Sequence, residues 1–203
     1  MTRRLLALLT LLAFWLSAES APRKGDDKPI LYLPTTVGDK RVLESTWNGK
    51  SDESTEWITA VETKGGMTVV SFTREEGGPT MYQYGASSDG MFRVSSGDVV
   101  YDPPYRLLKL PPKEGETWEA VRPATGGEPA QIFKYTTGKE EEVETPAGKF
   151  KAVRVEMETV LNKAIMRTTY WHAPVAGMVK IVTHDKRGDR VQVLKSFTPG
   201  GKK

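Results

Sequence analysis

The chain has no cysteine and only two histidines, His172 and His184, in 203 residues. The missing cysteine removes disulfides, thiolate chemistry and any lipid-modified N-terminal cysteine, so an exported form must be held by its core alone. The two histidines show no H-x-x-x-H spacing, which leaves too few ligands for a histidine-based metal centre. A return strand through a turn at Ala176 would set His184 near Arg167, away from His172, and both histidines read as structural polar residues at strand ends. Neither G-x-x-x-x-G-K-[ST] nor G-x-G-x-x-G occurs, and no G-x-S-x-G elbow exists. The nearest string, GASSDG at Gly85 to Gly90, reads as a hairpin turn. These absences imply no cofactor and no catalytic residue, and the chain leans away from being an enzyme.

Charge of one sign is also scarce. Lys and Arg number 29 against 26 Asp and Glu, and the net +3 becomes +2 once the two arginines and one glutamate of the first twenty residues are set aside. That balance argues against nucleic acid as the partner. The densest run, KEEEVE at Lys139 to Glu144, reads as a solvated strand edge or turn. Glu156 and Glu158 share the polar face of an alternating segment beside Arg154, which reads as sheet decoration, not a hydrolase pair.

What is present begins with a leader. Arg3 and Arg4 precede an apolar run from Leu5 to Leu16, interrupted by Thr10. Spanning a bilayer takes about 20 apolar residues. The run is therefore expected to be a secretory signal peptide over residues 1–20, cut between Ser20 and Ala21, with no transmembrane anchor after its removal. Localisation is accordingly periplasmic or extracellular. Residues 21–28 are expected to be a flexible polar lead-in, and 199–203 a disordered tail.

Between them almost nothing repeats at 3.6 residues and much alternates. In VRVEMET, Val153, Val155, Met157 and Thr159 share one face, while Arg154, Glu156 and Glu158 share the other. Strand-like runs recur at RVLESTW, EWITAVET, MTVVSFT, TMYQYGA, MFRVSS, QIFKYTT, IMRTTYWH, MVKIVTH and RVQVLKSF, separated by glycine turns such as KGG, EEGGP, SSDG, TPAGK and KRGD. The expected fold is all-β, a curved antiparallel sheet or open half-barrel.

The chain also repeats itself. LPTTVGD at Leu33 matches LPPKEGE at Leu110; GGMTVVSF at Gly65 resembles AGKFKAVRV at Ala147. Ala86 with Gly90-Met91 matches Ala173 with Gly177-Met178. The pairs keep their order, with offsets growing from 77 to 87. This points to two duplicated halves, 29–108 and 109–198, packed together. The proline-rich stretch SSGDVVYDPPYRLLKLPP between them is expected to be an edge strand or the crossover.

Three segments carry a resemblance: YWHAPVAGMVK, the Pro146-Ala147-Gly148 turn before Phe150, and YLPTTVGDK at Tyr32. They resemble turn motifs of uncharacterised secreted bacterial β-proteins related to the curved half-barrel of the periplasmic lipoprotein-carrier superfamily. The resemblance implies an open curved sheet with a ligand-bearing concave face.

Aromatic residues supply the binding candidates: Trp57, Tyr82, Tyr84, Trp118, Tyr170 and Trp171, in or beside the expected strands. Concave faces lined by aromatic and aliphatic groups bind lipids, glycans or peptides, though the same rings could simply fill a core. The function expected is an exported, monomeric, non-enzymatic binding or carrier module for an apolar or glycan ligand. A cell-envelope structural or protein-interaction module is the alternative, and a carboxylate-dependent hydrolase a weaker one.

Overall fold

The computed structural model describes residues 30–124, 129–161, 163–184 and 188–201. The leader, the lead-in 21–28, the last two lysines and the start of the KRGD turn lie outside the described residues. Twelve strands follow one another: β1 (Lys40–Trp47), β2 (Lys50–Lys64), β3 (Met67–Thr73), β4 (Tyr82–Ser87), β5 (Gly90–Ser96), β6 (Val99–Lys109), β7 (Thr117–Arg122), β8 (Gln131–Thr145), β9 (Gly148–Leu161), β10 (Ala164–Ala173), β11 (Gly177–His184) and β12 (Arg190–Thr198). The described residues contain no helix. The all-β antiparallel fold expected from the alternation is the one observed.

The sheet order is β6-β5-β4-β3-β2-β1-β12-β11-β10-β9-β8-β7. Each half is a meander, and β1 joins the halves by pairing antiparallel with β12 from Lys40↔Thr198 to Thr46↔Val191. The sheet curls until its edges, β6 and β7, approach each other. Side chains bridge that gap: Trp118 Nε1 donates to the Arg106 carbonyl at 3.2 Å, Lys109 meets Glu116 at 3.0 Å, and Tyr105 stacks on Phe133 at 5.8 Å. The result is a nearly closed barrel.

Alternation places the core. Along β9, Val153, Val155, Met157 and Thr159 are buried while Glu156 and Glu158 are exposed, so the polar face takes Arg167 against Glu158 at 2.5 Å and Arg154 against Glu156. Side chains of this kind contribute about 1.5–3 kcal/mol each on full burial. The main cluster draws Leu33, Ile58, Val70, Phe72, Tyr84 and Val155 from both halves. A second joins Leu43, Val143, Ala152, Ala173, Val179 and Leu194.

β7 lies where sequence patterning marked no strand, and β6 falls in the proline-rich stretch expected to be an edge strand or the crossover and is an edge strand. β6 carries Pro103 and Pro104, and an edge strand tolerates their missing N–H groups. KEEEVE lies within β8, where Glu140 to Glu144 pair with β9 while the β7 ladder stops at Thr136, so the run is a solvated strand edge and not a turn, with ion pairs from Lys149 to Glu142 and Lys151 to Glu140.

The two L-P-x-x-x-G-acid segments lead into β1 and β7 with the same backbone bonds. Gly38 N donates to Ile58 O at 2.8 Å, Asp39 N to Thr36 O at 3.0 Å, and Ile58 N to Asp39 O at 2.9 Å; Gly115, Glu116 and Thr137 repeat them at 2.8, 3.0 and 2.9 Å. Each segment is then held by the turn of a hairpin. Val175 N donates to Leu31 O at 2.8 Å, and Leu110 N donates to Asp89 O at 2.9 Å. The repeated glycines lie where these backbones pass: a Cβ at Gly90 would meet Leu108 O at 2.0 Å, and one at Gly177 would meet Pro34 Cδ at 3.2 Å.

Candidate functional site

Strand alternation and cross-strand register set the residues facing the barrel interior. Tyr84, Arg93 and Tyr105 oppose one another across β4, β5 and β6. Val70 and Phe72 of β3 oppose Tyr84 and Tyr82, and Ile58 opposes Phe72. Glu56 shares its face with Ile58 and stands opposite Arg41 on β1.

That opposition forms a buried network. Arg41 is 2% and Glu56 8% exposed, and Arg41 Nη1 lies 3.2 Å from Glu56 Oε2. Tyr82 donates its hydroxyl to Glu56 Oε1, and Arg41 donates through Nη2 to the Met178 carbonyl. Burial, followed by the neighbouring Glu56 charge, pushes the Tyr82 phenol well above its usual range. A buried ion pair must recover a desolvation cost of several kcal/mol per ion through such added bonds. The recovery is incomplete: Arg41 Nε and Glu56 Oε2 have no hydrogen-bond partner, although the latter keeps its ionic contact with Arg41.

A cavity of about 180 Å³ borders these groups, lined by Arg41, Glu56, Tyr82, Tyr84, Ile181 and Gln192 among others. It opens where two strands part. β11 and β12 pair from Thr183↔Arg190 to Lys180↔Val193; beyond that, β12 continues against β1 while β11 runs into the β10–β11 hairpin. Lys180 and Val193 also line the cavity, and the Lys180 ammonium lies 4.8 Å from the Trp171 ring centroid.

Further round the interior, Arg93 packs its guanidinium 4.8 and 4.7 Å from the rings of Tyr82 and Tyr84. Trp118 stacks on Tyr135 at 5.1 Å. Burial raises the phenols of Tyr84, Tyr135 and Tyr170, and takes Tyr105 to about 12. His172, 1% exposed, stacks on Tyr170 at 6.0 Å, and burial lowers its imidazole to about 3. Neither of its ring nitrogens has a hydrogen-bond partner. His184 pairs opposite Arg167 and contacts Asp189 at 3.0 Å in an exposed position.

Of the six aromatic candidates, four share the interior. Tyr82 and Tyr84 border the cavity, Trp118 holds the β6–β7 gap, and Tyr170 packs against His172. Trp57 and Trp171 alternate with interior residues and so take the other face. A Lys40 ammonium lies 4.9 Å from the Trp57 ring centroid, and Trp171 Nε1 donates to Glu141 at 2.5 Å. The three tryptophans therefore do not converge.

Arg41, Glu56 and Gln192 escaped the sequence reading. Their signal was a polar residue in the phase of a buried face: Arg41 with Leu43, Glu56 with Ile58, Gln192 with Leu194. Among the described residues no cluster of three or more acidic or histidine side chains could hold a metal ion, and no helix is long and apolar enough to cross a membrane.

The fold has solved relatives. The chain is similar, at 16% identity and a TM-score of 0.56, to a Bacteroides fragilis NCTC 9343 protein described as exported and of YmcC-like fold, over 83% of this chain and 99% of that one. A Parabacteroides distasonis ATCC 8503 protein described as a lipoprotein aligns at 16% identity and a TM-score of 0.49, over 84% and 100% of the two chains. No family model and no curated protein matches. The likeness is one of fold.

Proposed function

We propose that the chain is an exported, monomeric, non-enzymatic binding or carrier module that holds an apolar or glycan ligand inside its barrel. The observation that carries this reading is the cavity bordered by Arg41 and Glu56, two buried groups with hydrogen-bonding capacity left over. A core built for stability alone leaves few such groups, because each costs about 1–3 kcal/mol. The leader, cut after Ser20, directs the protein out of the cytoplasm. The Bacteroides fragilis relative is itself described as exported, and kinship in mode of action with the lipoprotein carriers is part of the same proposal. The frame is a duplicated six-stranded unit, halves 29–108 and 109–198. The equivalent backbone bonds at Gly38 and Gly115 support that duplication. Native mass spectrometry of residues 21–203, purified from the compartment its leader selects, tests the function. A reproducible extra mass that leaves on denaturation is expected; a bare chain overturns the reading.

A second reading, an envelope interaction module, is favoured by one surface. Val121 pairs with Ile132 and Val160 with Ile165, all four at least 52% exposed on adjacent strands, and Thr159 Oγ1 donates to Ile132 O between them. Exposed aliphatic patches of this kind commonly mark contact surfaces. Capture of a specific envelope protein that is lost in Ile132→Lys would support it.

A further inference from the structure

The interior cavity discriminates between the two ligand classes, and this inference rests on the binding reading above. An apolar ligand gains by burial against apolar walls and leaves buried polar atoms unsatisfied, at a cost. Here the walls offer a donor, Arg41 Nε, and an acceptor, Glu56 Oε2, each buried and each lacking a hydrogen-bond partner. Gln192 adds an amide, tied through Nε2 to Ser45 Oγ at 3.0 Å. The two ions oppose each other across β1 and β2 and offset one another, which leaves the Lys180 ammonium at the mouth as the one unbalanced charge of the lining.

A charged ligand meets attraction and repulsion in nearly equal measure at such a pair. A neutral group with adjacent hydroxyls meets both partners at once, giving a hydrogen to the carboxylate and accepting one from the guanidinium. Tyr82 and Tyr84 border the same space, with Phe72 stacked on Tyr82 and the Arg93 guanidinium over both rings, so they shape the wall and hydrogen bonding carries the recognition. At about 180 Å³ the cavity holds one six-membered ring with its hydroxyls and is too small for a long acyl chain.

We infer that this cavity is a subsite for one neutral glycosyl unit, its adjacent hydroxyls held between Arg41 and Glu56, with the glycan leaving through the opening between β11 and β12 beside Lys180 and Trp171. Water fills the same polar space when no sugar is bound. A sugar replaces that water with equivalent hydrogen bonds.

The test combines two measurements on residues 21–203. Native mass spectrometry with fragmentation identifies any retained mass, and calorimetric titration compares maltotriose, cellotriose and N-acetylchitotriose with hexadecanoate. At least one trisaccharide is expected to bind, at least ten-fold more weakly in Glu56→Gln. Ile181→Phe narrows the cavity without touching the ion pair, and it is expected to abolish binding while keeping the folded circular dichroism spectrum. It keeps the proposal falsifiable if Glu56→Gln misfolds. A retained lipid, hexadecanoate binding alone, or trisaccharide binding unaffected by both variants would overturn the glycosyl subsite and leave the binding module standing. A bare chain that binds no probe would overturn both.

Discussion

The barrel closes in two different ways on its two sides. Between β1 and β12 the backbone ladder runs from Lys40↔Thr198 to Thr46↔Val191, with a single slip at Val42/Leu43, and Leu43 opposes Leu194 within it. Between β6 and β7 the closure rests on side chains: the Trp118 indole, the Lys109–Glu116 pair and the Tyr105–Phe133 stack. The segments leading into β1 and β7 make the same three backbone bonds, so the difference arises after them. β7 is six residues long, and β6 carries two prolines that cannot donate. A short strand facing a proline-bearing one cannot build a ladder. One seam therefore depends on the backbone and a buried apolar cluster, the other on a few polar and aromatic contacts.

The sharpest way to break that asymmetry is to empty the closed seam. Leu194 is 0% exposed and packs with Leu43, Val179 and Ala173. Leu194→Ala is expected to cost about 2–5 kcal/mol in urea unfolding, from lost transfer energy plus the cavity left behind. A loss below about 1 kcal/mol would mean the seam relaxes around the gap and is not the stronger of the two.

Acid tests the same side. His172, on β10, pairs with Val153 and Met178, and its folded-state imidazole is lowered to about 3 from its ordinary 6.5. Between those values the unfolded chain binds a proton that the folded chain refuses. Its contribution to stability is full above pH 6.5 and declines as pH falls toward 3, by about 1.4 kcal/mol for each pH unit within the window. His172→Met is expected to flatten that slope between pH 6 and 4 and to leave neutral-pH stability equal or higher, since it removes two unpartnered ring nitrogens. An unchanged slope would show that water already reaches the imidazole.

How much of this was legible beforehand varied with the physical signal. VRVEMET announced β9 because a half-buried strand writes period two into its own residues, and the return through Ala176 set His184 opposite Arg167 by counting alone. β7 was silent for the opposite reason: an edge strand has no second neighbour to demand β-branched residues, whereas the prolines of β6 pointed to an edge or a crossover. The aromatic candidates split because adjacency in sequence, as in Tyr170 and Trp171, means opposite faces in a strand. The Arg41–Glu56 pair joins residues that neither spacing nor motif connects. Only β1–β2 register brings them together, and the visible trace was a charge in the phase of an apolar face.

The two glycine copies compare the halves directly. A Cβ at Gly90 would overlap Leu108 O, which is backbone and cannot step aside; at Gly177 the nearest atom is a ring carbon at the tighter limit of ordinary contact. Gly90→Ala is expected to cost about 1–3 kcal/mol or more through forced backbone movement. Gly177→Ala, whose φ of 76° an alanine enters with strain, should cost about 1–2 kcal/mol. Equal losses in thermal unfolding would mean that the end of β6 yields as readily as the proline ring before β1. The side of the barrel without a ladder would then also be the softer one.

The smallest expected effect concerns the open seam itself. Trp118→Phe keeps an aromatic ring against Tyr135 and removes the indole bond to the Arg106 carbonyl. One such bond contributes about 1 kcal/mol, so global stability should fall by no more than that. Local opening should change more than the global loss suggests, because few other contacts span the gap. Hydrogen exchange is expected to quicken in β6 and β7 and to stay unchanged in β1 and β12. Equal acceleration on both sides would mean the two seams open together, which would make the barrel a single cooperative unit despite its two kinds of closure.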